Sequence, residues 1–235
     1  MDFPKLSSPT LKELFVRELE NMILSGKLPV GYKLPSERAL ALDMQVSRAV
    51  VNTGLAEMAV KGFIEIMPRV GAVVADYRRL GTFETLLSIM RYNGGVLRKN
   101  EIKSLLEIRL VLETLALELA IPSITAEELD ALKGLALKFG ASEDPALSAR
   151  IIFDFHHELC IISGNTLLPL IFYSFRVPVL GLWERYFHLH GVSSLQAGTA
   201  ELYACIERRD IPGAVAALSG SLEKTIGGGA SIYFE

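Results

Sequence analysis

The chain has 235 residues, half of them hydrophobic and 22% charged, and its formal net charge is -3. A disordered chain has low hydrophobicity and high net charge, so this composition excludes one. The length fits one large domain or two small ones, and either can bury a core. The two cysteines, Cys160 and Cys205, are too few for a disulfide framework. We therefore expect a reducing compartment, the cytoplasm.

Charge divides the chain unevenly. Residues 1–79 carry 11 Lys and Arg against 9 Asp and Glu, whereas the remainder carries 13 against 18. A basic first third and an acidic remainder predict two domains, of which only the first faces a polyanion. We predict a winged helix-turn-helix DNA-binding domain over 1–76, a linker over 77–82 and a helical effector-binding and dimerisation domain over 83–235.

The first domain is predicted from helix caps and turn residues. Apolar residues recur at helical spacing from Thr10 to Gly26, and Ser36 is placed to cap a short second helix. Ser47 caps a third helix that runs to about Lys61, before Gly62. Two short strands, Phe63–Ile66 and Ala72–Ala75, are predicted to form a hairpin. Three helices followed by a hairpin form a winged helix-turn-helix.

From Thr82 onward the pattern is helical. Asn100 to Ile121 reads as a long amphipathic helix that Pro122 stops, and Thr125 to Glu128 is a capping box. Further helices are predicted over 146–163, 166–190, 195–208 and 211–225. The fold class is therefore mainly α, with an N-terminal winged helix-turn-helix domain and a C-terminal all-α helical bundle.

The most apolar stretch, 161–183, carries a single charge at Arg176. Pro169 and Pro178 interrupt it, so we interpret it as a buried helix-turn-helix element of the bundle, not a membrane span. No membrane partner is expected.

One face of the third helix carries the residues expected to read DNA. Apolar residues mark its buried side, and the opposite side, near the N-terminal end, enters the major groove in a helix-turn-helix. The outward residues are Arg48, Ala49, Asn52 and Thr53. Arginine can make two hydrogen bonds to guanine, and asparagine can make two to adenine. Each such contact discriminates against the wrong base by about 1–3 kcal/mol.

Contacts to the DNA backbone are expected around this helix. Ser47 and the first-turn amides suit a phosphate. Arg38 on the second helix and Arg69 at the hairpin tip are placed to reach the flanking backbone or the minor groove. The alternative is an ordinary solvated helix face, but four elements in this order favour groove binding. The predicted partner is double-stranded operator DNA.

The first domain resembles that of GntR-family bacterial transcription regulators. Residues 34–38 read Leu-Pro-Ser-Glu-Arg, 46–48 read Val-Ser-Arg, and 62–64 read Gly-Phe-Ile at the entry to the wing. The resemblance implies that Arg38, Ser47, Arg48 and the wing glycine Gly71 contact the operator. The family usually continues Pro-Val-Arg-Glu after Val-Ser-Arg, whereas this chain has Asn52 where a base-reading arginine is common. We predict an altered operator preference at that position.

The second domain resembles the FCD effector-binding domain of the FadR subfamily. The matching residues are Glu107-Ile-Arg109 with Glu113, Phe155-His156 with Gly164-Asn165, and Arg209-Asp210 with Ala214. Many such domains hold a divalent metal through one Asp and three His. The corresponding positions here are Ile152, His156, Thr199 and Ser221. Isoleucine and neutral hydroxyls do not replace these ligands, so we predict no metal and no cofactor. Thr199 and Ser221 are then expected to line an effector pocket, and His156 either lines it with them or is a core histidine.

Without a metal, side chains must recognise the effector. Arg109 lies on a mostly apolar helix, where an inward arginine needs a partner. It either makes two hydrogen bonds to an anionic effector or forms an ion pair with Glu113, one helical turn further along. Arg176 is a second candidate, with Tyr173 and Trp183 as walls. The expected effector is an organic acid or a larger apolar anion.

These features predict a regulator and not an enzyme, since catalytic phosphate-loop, zinc-protease and nucleophile-elbow motifs are absent from the sequence. We expect a repressor acting as a homodimer on a short pseudopalindrome. Two alternatives stay open. One is a metal-dependent carboxylate sensor of the same family, and the other is a helical partner-binding protein without operator specificity.

Overall fold

The computed structural model describes residues 9–92 and 99–227, with side chains to residue 223. The ends of both predicted domains, 1–8 and 228–235, and residues 93–98 lie outside the described residues. The chain divides into two compact units, Met1–Gly94 and Gly95–Glu235. In the described part of the chain, none of the helices is both long enough and apolar enough to cross a membrane.

The first unit has the predicted order of three helices and a hairpin. Thr10, Ser36 and Ser47 each accept a hydrogen bond from a first-turn backbone amide, so the polar residue before each helix fixes where it begins. The elements are α1 (Leu11–Leu24), α2 (Glu37–Asp43), α3 (Arg48–Val60), β1 (Ile64–Met67), β2 (Gly71–Val74), α4 (Tyr77–Leu80) and α5 (Phe83–Arg91).

The core of this unit lies between α1, α3 and the hairpin. Phe15 of α1 is buried against α3, where Gly54 leaves room for its ring; a Cβ atom at Gly54 would overlap it. Strands β1 and β2 pair antiparallel, with Ile64 opposite Val74. This packing fixes α3 on its apolar side and leaves its opposite face exposed.

The predicted linker, 77–82, contains helix α4. The boundary between the two compact units falls after α5, between residues 94 and 95. The Asp76 side chain accepts a hydrogen bond from the Arg78 amide and so caps α4. Thr85 donates to the Lys61 carbonyl, and Ser88 donates to Glu20 at 2.9 Å. These bonds attach α5 to the first unit, which the local polarity of the segment does not reveal.

The second unit is a helical bundle, as predicted. Helix α8 packs against α6, α7, α9 and α10, while α12 packs against α6 and α11. The elements are α6 (Lys99–Ser123), α7 (Ala126–Gly140), α8 (Pro145–Ile162), α9 (Leu168–Ser174), α10 (Arg176–His190), α11 (Ser193–Glu207) and α12 (Ile211–Gly227).

The single helix predicted over 166–190 is wrong. The chain forms α9 and α10, separated at Phe175. Proline has no amide hydrogen and its ring clashes with the carbonyl four residues earlier, so Pro178 cannot continue the ladder from Ser174. Pro178 marks an interruption of the apolar run, but the run does not show that the break falls at Phe175, which puts Tyr173 and Arg176 on different helices.

Arg209 ties the end of α6 to the α11–α12 turn. Its guanidinium donates to the carbonyls of Ile121 at 2.6 Å, Pro122 at 3.2 Å and Ile124 at 2.7 Å. A cation at carbonyls exposed by a helix end is favourable. Asp210 then accepts from the Gly213 amide and begins α12, so these two residues orient two of the helices around the cavity described below.

Candidate DNA-binding surface and effector cavity

The N-terminal half of α3 presents the predicted DNA-reading residues to solvent. Val51, on the other side of the helix, is fully buried in the unit's core. The exposed residues are Arg48, Ala49, Asn52 and Thr53, together with Ser47 at the cap. A helix N-terminus with this exposure has the geometry that enters a major groove.

Two hydroxyls on this surface already have partners in the helix. Ser47 Oγ accepts from the Val50 amide at 3.2 Å, so its own proton stays available to a phosphate. Thr53 Oγ1 lies 2.8 Å from the Ala49 carbonyl and 3.2 Å from that of Val50, and donates to the helix backbone. Thr53 therefore offers DNA its methyl group and its oxygen as an acceptor.

Asn52 has a partner on α2 that sequence reasoning missed. Its Nδ2 donates to Oε1 of the half-buried Glu37 at 3.3 Å. The sequence predicts that Asn52 reads a base and names no partner for it inside the protein. The contact depends on the crossing of α2 and α3, for which the sequence carries no local signal.

The hairpin tip and α2 add exposed cations. Arg69 lies in the turn between β1 and β2, and Gly71 is the first residue of β2; both are exposed and have φ angles of 65° and 105°. Glycine tolerates this backbone region and arginine rarely adopts it. Arg38 is exposed on α2. This unit therefore carries exposed arginines on α2 and in the hairpin turn in addition to Arg48 on α3.

The second unit contains a cavity of about 40 Å³ between α6, α8, α10, α11 and α12. Arg109, His156, Thr199 and Ser221, four of the six predicted effector residues, line it. Its other walls are apolar and include Trp183, Tyr186 and several leucines.

Arg176 and Tyr173, the other two predicted effector residues, do not line this cavity, so their placement there is corrected. The Arg176 guanidinium lies 5.8 Å from the centres of the Phe153 and Tyr173 rings, and Tyr173 is 52% exposed. Tyr173 lies on α9, before the break at Phe175, and Arg176 lies at the start of α10, two turns before Trp183, which does line the cavity.

A buried charged cluster forms one wall of the cavity. Arg109 Nε donates to Glu113 Oε1 at 2.7 Å, and both side chains are 3% exposed. His156 Nδ1 lies 2.8 Å from Glu113 Oε2 without the alignment of a hydrogen bond. The Arg109 guanidinium stacks 4.4 Å from the Trp183 ring, and the His156 ring stacks on it at 5.7 Å.

Glu113 is the counter-charge of this cluster. Burial raises the pKa of its carboxyl, but the charges of Arg109 and His156 outweigh burial and lower the pKa to about 2. Burial and the Glu113 charge raise the pKa of the nearby Cys160 thiol to about 12. At neutral pH the Arg109 guanidinium, which lines the cavity, is therefore paired with the Glu113 carboxylate behind it, and the nearby Cys160 thiol is un-ionised.

The two interpretations of Arg109 are compatible. Its bond to Glu113 uses Nε, and a guanidinium has five N–H donors in a planar fork. The ion pair holds the side chain in place while the group still lines the cavity. An arginine held this way can bind a carboxylate without first losing side-chain freedom.

Family models match both units. Residues 11–74 match the model described as bacterial regulatory proteins of the gntR family, and residues 104–224 match the FCD domain. The chain belongs to the GntR family. It is a DNA-binding transcriptional regulator with a helical FCD effector domain, like those of the FadR subfamily.

Curated relatives are named as transcription regulators, in agreement with the prediction that the chain is not an enzyme. Mce2R of Mycobacterium tuberculosis is 29% identical over 165 residues, which cover 70% of this chain and 68% of that protein. LutR of Bacillus subtilis is 30% identical over 63% of this chain and 65% of its own length. The repressor NanR of Citrobacter rodentium is 30% identical over 71% of this chain and 64% of its own length. This GntR-family chain thus spans about two thirds of each relative's length.

The fold also recurs in a solved structure. Lar, described as controlling the expression of the Listeria monocytogenes agr system, superposes with a TM-score of 0.61. The match covers 94% of this chain and 97% of that one, at 15% identity. At this identity the likeness concerns the fold alone.

The metal site that the FCD resemblance implies does not fit this regulator. The four corresponding positions, Ile152, His156, Thr199 and Ser221, all line the cavity. Only His156 has a side chain that divalent metals bind well, and its Nδ1 already lies against Glu113. Across residues 9–92 and 99–223, no three His, Cys, Asp or Glu side chains cluster closely enough to hold a metal ion. The cavity therefore contains the four positions that the resemblance assigns to the metal, but the side chains there do not form a metal site.

Proposed function

We propose that the protein is a repressor that binds a pseudopalindromic operator as a homodimer and is released by a small organic anion. The anion binds in the FCD cavity without a metal, and Arg109 is its main anchor. The observation that carries this proposal is the buried Arg109 guanidinium, which lines the same cavity as the four positions that the family resemblance assigns to a metal, Ile152, His156, Thr199 and Ser221.

The polar groups of the cavity suit a carboxylate. Arg109 supplies a cation with remaining N–H donors, and the Thr199 and Ser221 side chains add hydroxyl groups to the lining. The Thr199 proton goes to the Leu195 carbonyl at 3.1 Å, so its oxygen accepts. A ligand with a carboxylate and a hydroxyl or amino group matches this set.

The volume favours a small ligand over a larger apolar anion. A water needs roughly 10–15 Å³ of such space, so a cavity of about 40 Å³ holds only a few non-hydrogen atoms as it stands. A ligand of two to six carbon atoms requires modest movement of α10, α11 or α12. An acyl chain would require the bundle to open.

The homodimer is proposed to form through α6. Ile108, Val111, Leu115 and Leu119 are exposed along one side of this helix, at spacings of three and four residues. A contiguous apolar stripe of this kind marks a protein interface. Arg109 and Glu113 lie on the buried side of the same helix, so an anion at Arg109 acts on the element that carries the stripe.

Repression is proposed on two grounds. Occupying a promoter is enough to block transcription, whereas activation needs a further contact with the transcription machinery. NanR, which is 30% identical over 71% of this chain, is named a repressor. Effector binding then shifts the population toward dimers whose α3 helices no longer match the half-site spacing.

Trp183 provides the test, since it is the single tryptophan of the chain and lines the cavity. Metal-stripped protein is titrated with carboxylates and amino acids of two to six carbon atoms, and with acyl thioesters as the large-ligand arm. We expect a small carboxylate to change Trp183 emission and raise the thermal midpoint. Arg109→Lys, which keeps the charge and loses the fork, is expected to weaken this binding about tenfold or more.

Arg176→Lys is the matched control, because Arg176 lies outside the cavity. It is expected to bind the carboxylate as the wild type does. Binding that appears only after zinc, nickel or manganese is restored would establish the metal-dependent alternative instead. Binding of acyl thioesters alone would refute the small-ligand proposal.

A further inference from the structure

The contact between Glu37 and Asn52 fixes the direction of an amide on the DNA-reading face. A carboxylate at neutral pH only accepts hydrogen bonds, so the Asn52 amide must turn its nitrogen toward Glu37, where Nδ2 lies 3.3 Å from Oε1. The opposite orientation would bring Oδ1 against the carboxylate and cost a repulsion. The Asn52 oxygen is thereby directed away from Glu37.

The groups that remain for DNA follow from this orientation. Asn52 is exposed and keeps its Oδ1 acceptor and one N–H donor. In the major groove, an acceptor beside a donor matches the N6 amine and N7 of adenine. Guanine presents two acceptors there, O6 and N7, and thymine presents O4 and a methyl group. An amide held in this orientation therefore disfavours both.

We infer that Glu37 is a positioning residue for operator reading, which holds the Asn52 amide so that one operator position is read as adenine. This inference rests on the proposed binding of α3 to a major groove. Glu37 acts through Asn52 and not by contact with the base. The discrimination for adenine at that position is expected to be about 5- to 150-fold, the range of one bidentate contact.

Glu37→Gln tests this inference with little change in shape. A glutamine amide offers either a donor or an acceptor to Asn52, so the Asn52 amide is free to flip and to present its N–H₂ group to guanine or thymine. Selection from random duplexes is expected to give the wild type one adenine per half-site that Glu37→Gln no longer prefers. The other operator positions are expected to stay unchanged.

Two further variants separate this effect from charge and folding. Glu37→Gln removes a negative charge, which strengthens binding to every DNA sequence. Asp43→Asn removes an exposed carboxylate from the same helix and is expected to keep the adenine preference. Asn52→Ala is expected to lose the same preference, and adding Glu37→Gln to it is expected to change the selected motif no further.

The outcomes distinguish this inference from the proposed function. If the wild type enriches no motif, operator reading itself fails. If the wild type enriches a motif and Glu37→Gln selects the same bases at every position, only the role of Glu37 is refuted. A motif with guanine or thymine at the position that Asn52→Ala changes would refute it as well.

Discussion

At the scale of single residues, Glu113 makes the strongest prediction. Its folded pKa of about 2 lies below its ordinary value of 4.5, so its charge stabilises the fold above pH 4.5. That stability is lost as pH falls from 4.5 toward 2. Glu113→Gln leaves the Arg109 charge buried without its partner and is expected to lower the free energy of unfolding at pH 7 by about 3–5 kcal/mol.

The pH dependence of this difference is the measurement. The difference in the free energy of unfolding between wild type and Glu113→Gln is expected to decrease when urea unfolding is repeated from pH 7 to pH 3. Glu118→Gln removes an exposed carboxylate from the same helix and is expected to change stability by less than about 0.5 kcal/mol. A gap for Glu113→Gln that stays constant over this range would contradict the assigned role.

At the scale of elements, Gly54 sets the distance between α1 and α3. An alanine there would overlap the buried Phe15 ring, so Gly54→Ala is expected to destabilise the first unit by about 1–3 kcal/mol. Gly134→Ala on α7 meets nothing within 4 Å and is expected to stabilise by up to about 1 kcal/mol through helix propensity. Thermal unfolding of both variants compares the two effects. If the thermal midpoints of both variants shifted equally and in the same direction, α3 would not need glycine at position 54.

The wing makes a second prediction for an element. Arg69 has a φ of 65°, which costs a residue with a side chain roughly 1–2 kcal/mol. Arg69→Gly is expected to stabilise the hairpin and to reduce the salt dependence of operator affinity by about one phosphate contact. Arg69→Lys keeps both the charge and the strained backbone and serves as the control. If the salt dependence of operator affinity were unchanged in Arg69→Gly, the wing tip would not be among the DNA contacts.

Element ends were predictable wherever the signal was local. Ser36 and Ser47 begin their helices and Gly62 follows α3 with a φ of 74°, because caps and turns depend on neighbouring residues. Pro178 signals an interruption, but the break falls at Phe175, and the continuous apolar run does not show where one helix ends and the next begins. The contact of Glu37 with Asn52 depends on how two helices cross, and the pattern of neither helix encodes that crossing.

At the scale of the whole molecule, the α6 stripe predicts the oligomeric state. Val111 is 68% exposed in the middle of the stripe, so Val111→Glu is expected to give a 25.8 kDa monomer where the wild type has twice that mass. Operator affinity is expected to fall while the thermal midpoint is retained. Leu137→Glu, at a 65% exposed position on α7, is the control and is expected to remain dimeric. Light scattering after gel filtration measures the masses, and a dimeric Val111→Glu would exclude this interface.

The cavity shows which features of the site can be predicted from the sequence at this scale. Family resemblance placed Thr199 and Ser221, far from Arg109 in sequence, in one pocket, and all three line it. Arg176 does not line it because it lies two turns before Trp183 along α10, a distance from the cavity that residue type alone does not reveal. The size of the cavity follows from the packing of five helices and was not predictable from residue types.

The coupling of operator binding to the cavity tests the central claim most directly. Operator affinity of metal-stripped protein is measured with and without the small carboxylate that changes Trp183 emission. We predict that the carboxylate weakens wild-type operator binding at least about fivefold, the lower end of typical coupling, and that Arg109→Lys needs about tenfold or more carboxylate for the same effect. A carboxylate that binds the wild type and leaves its operator affinity unchanged would contradict the account.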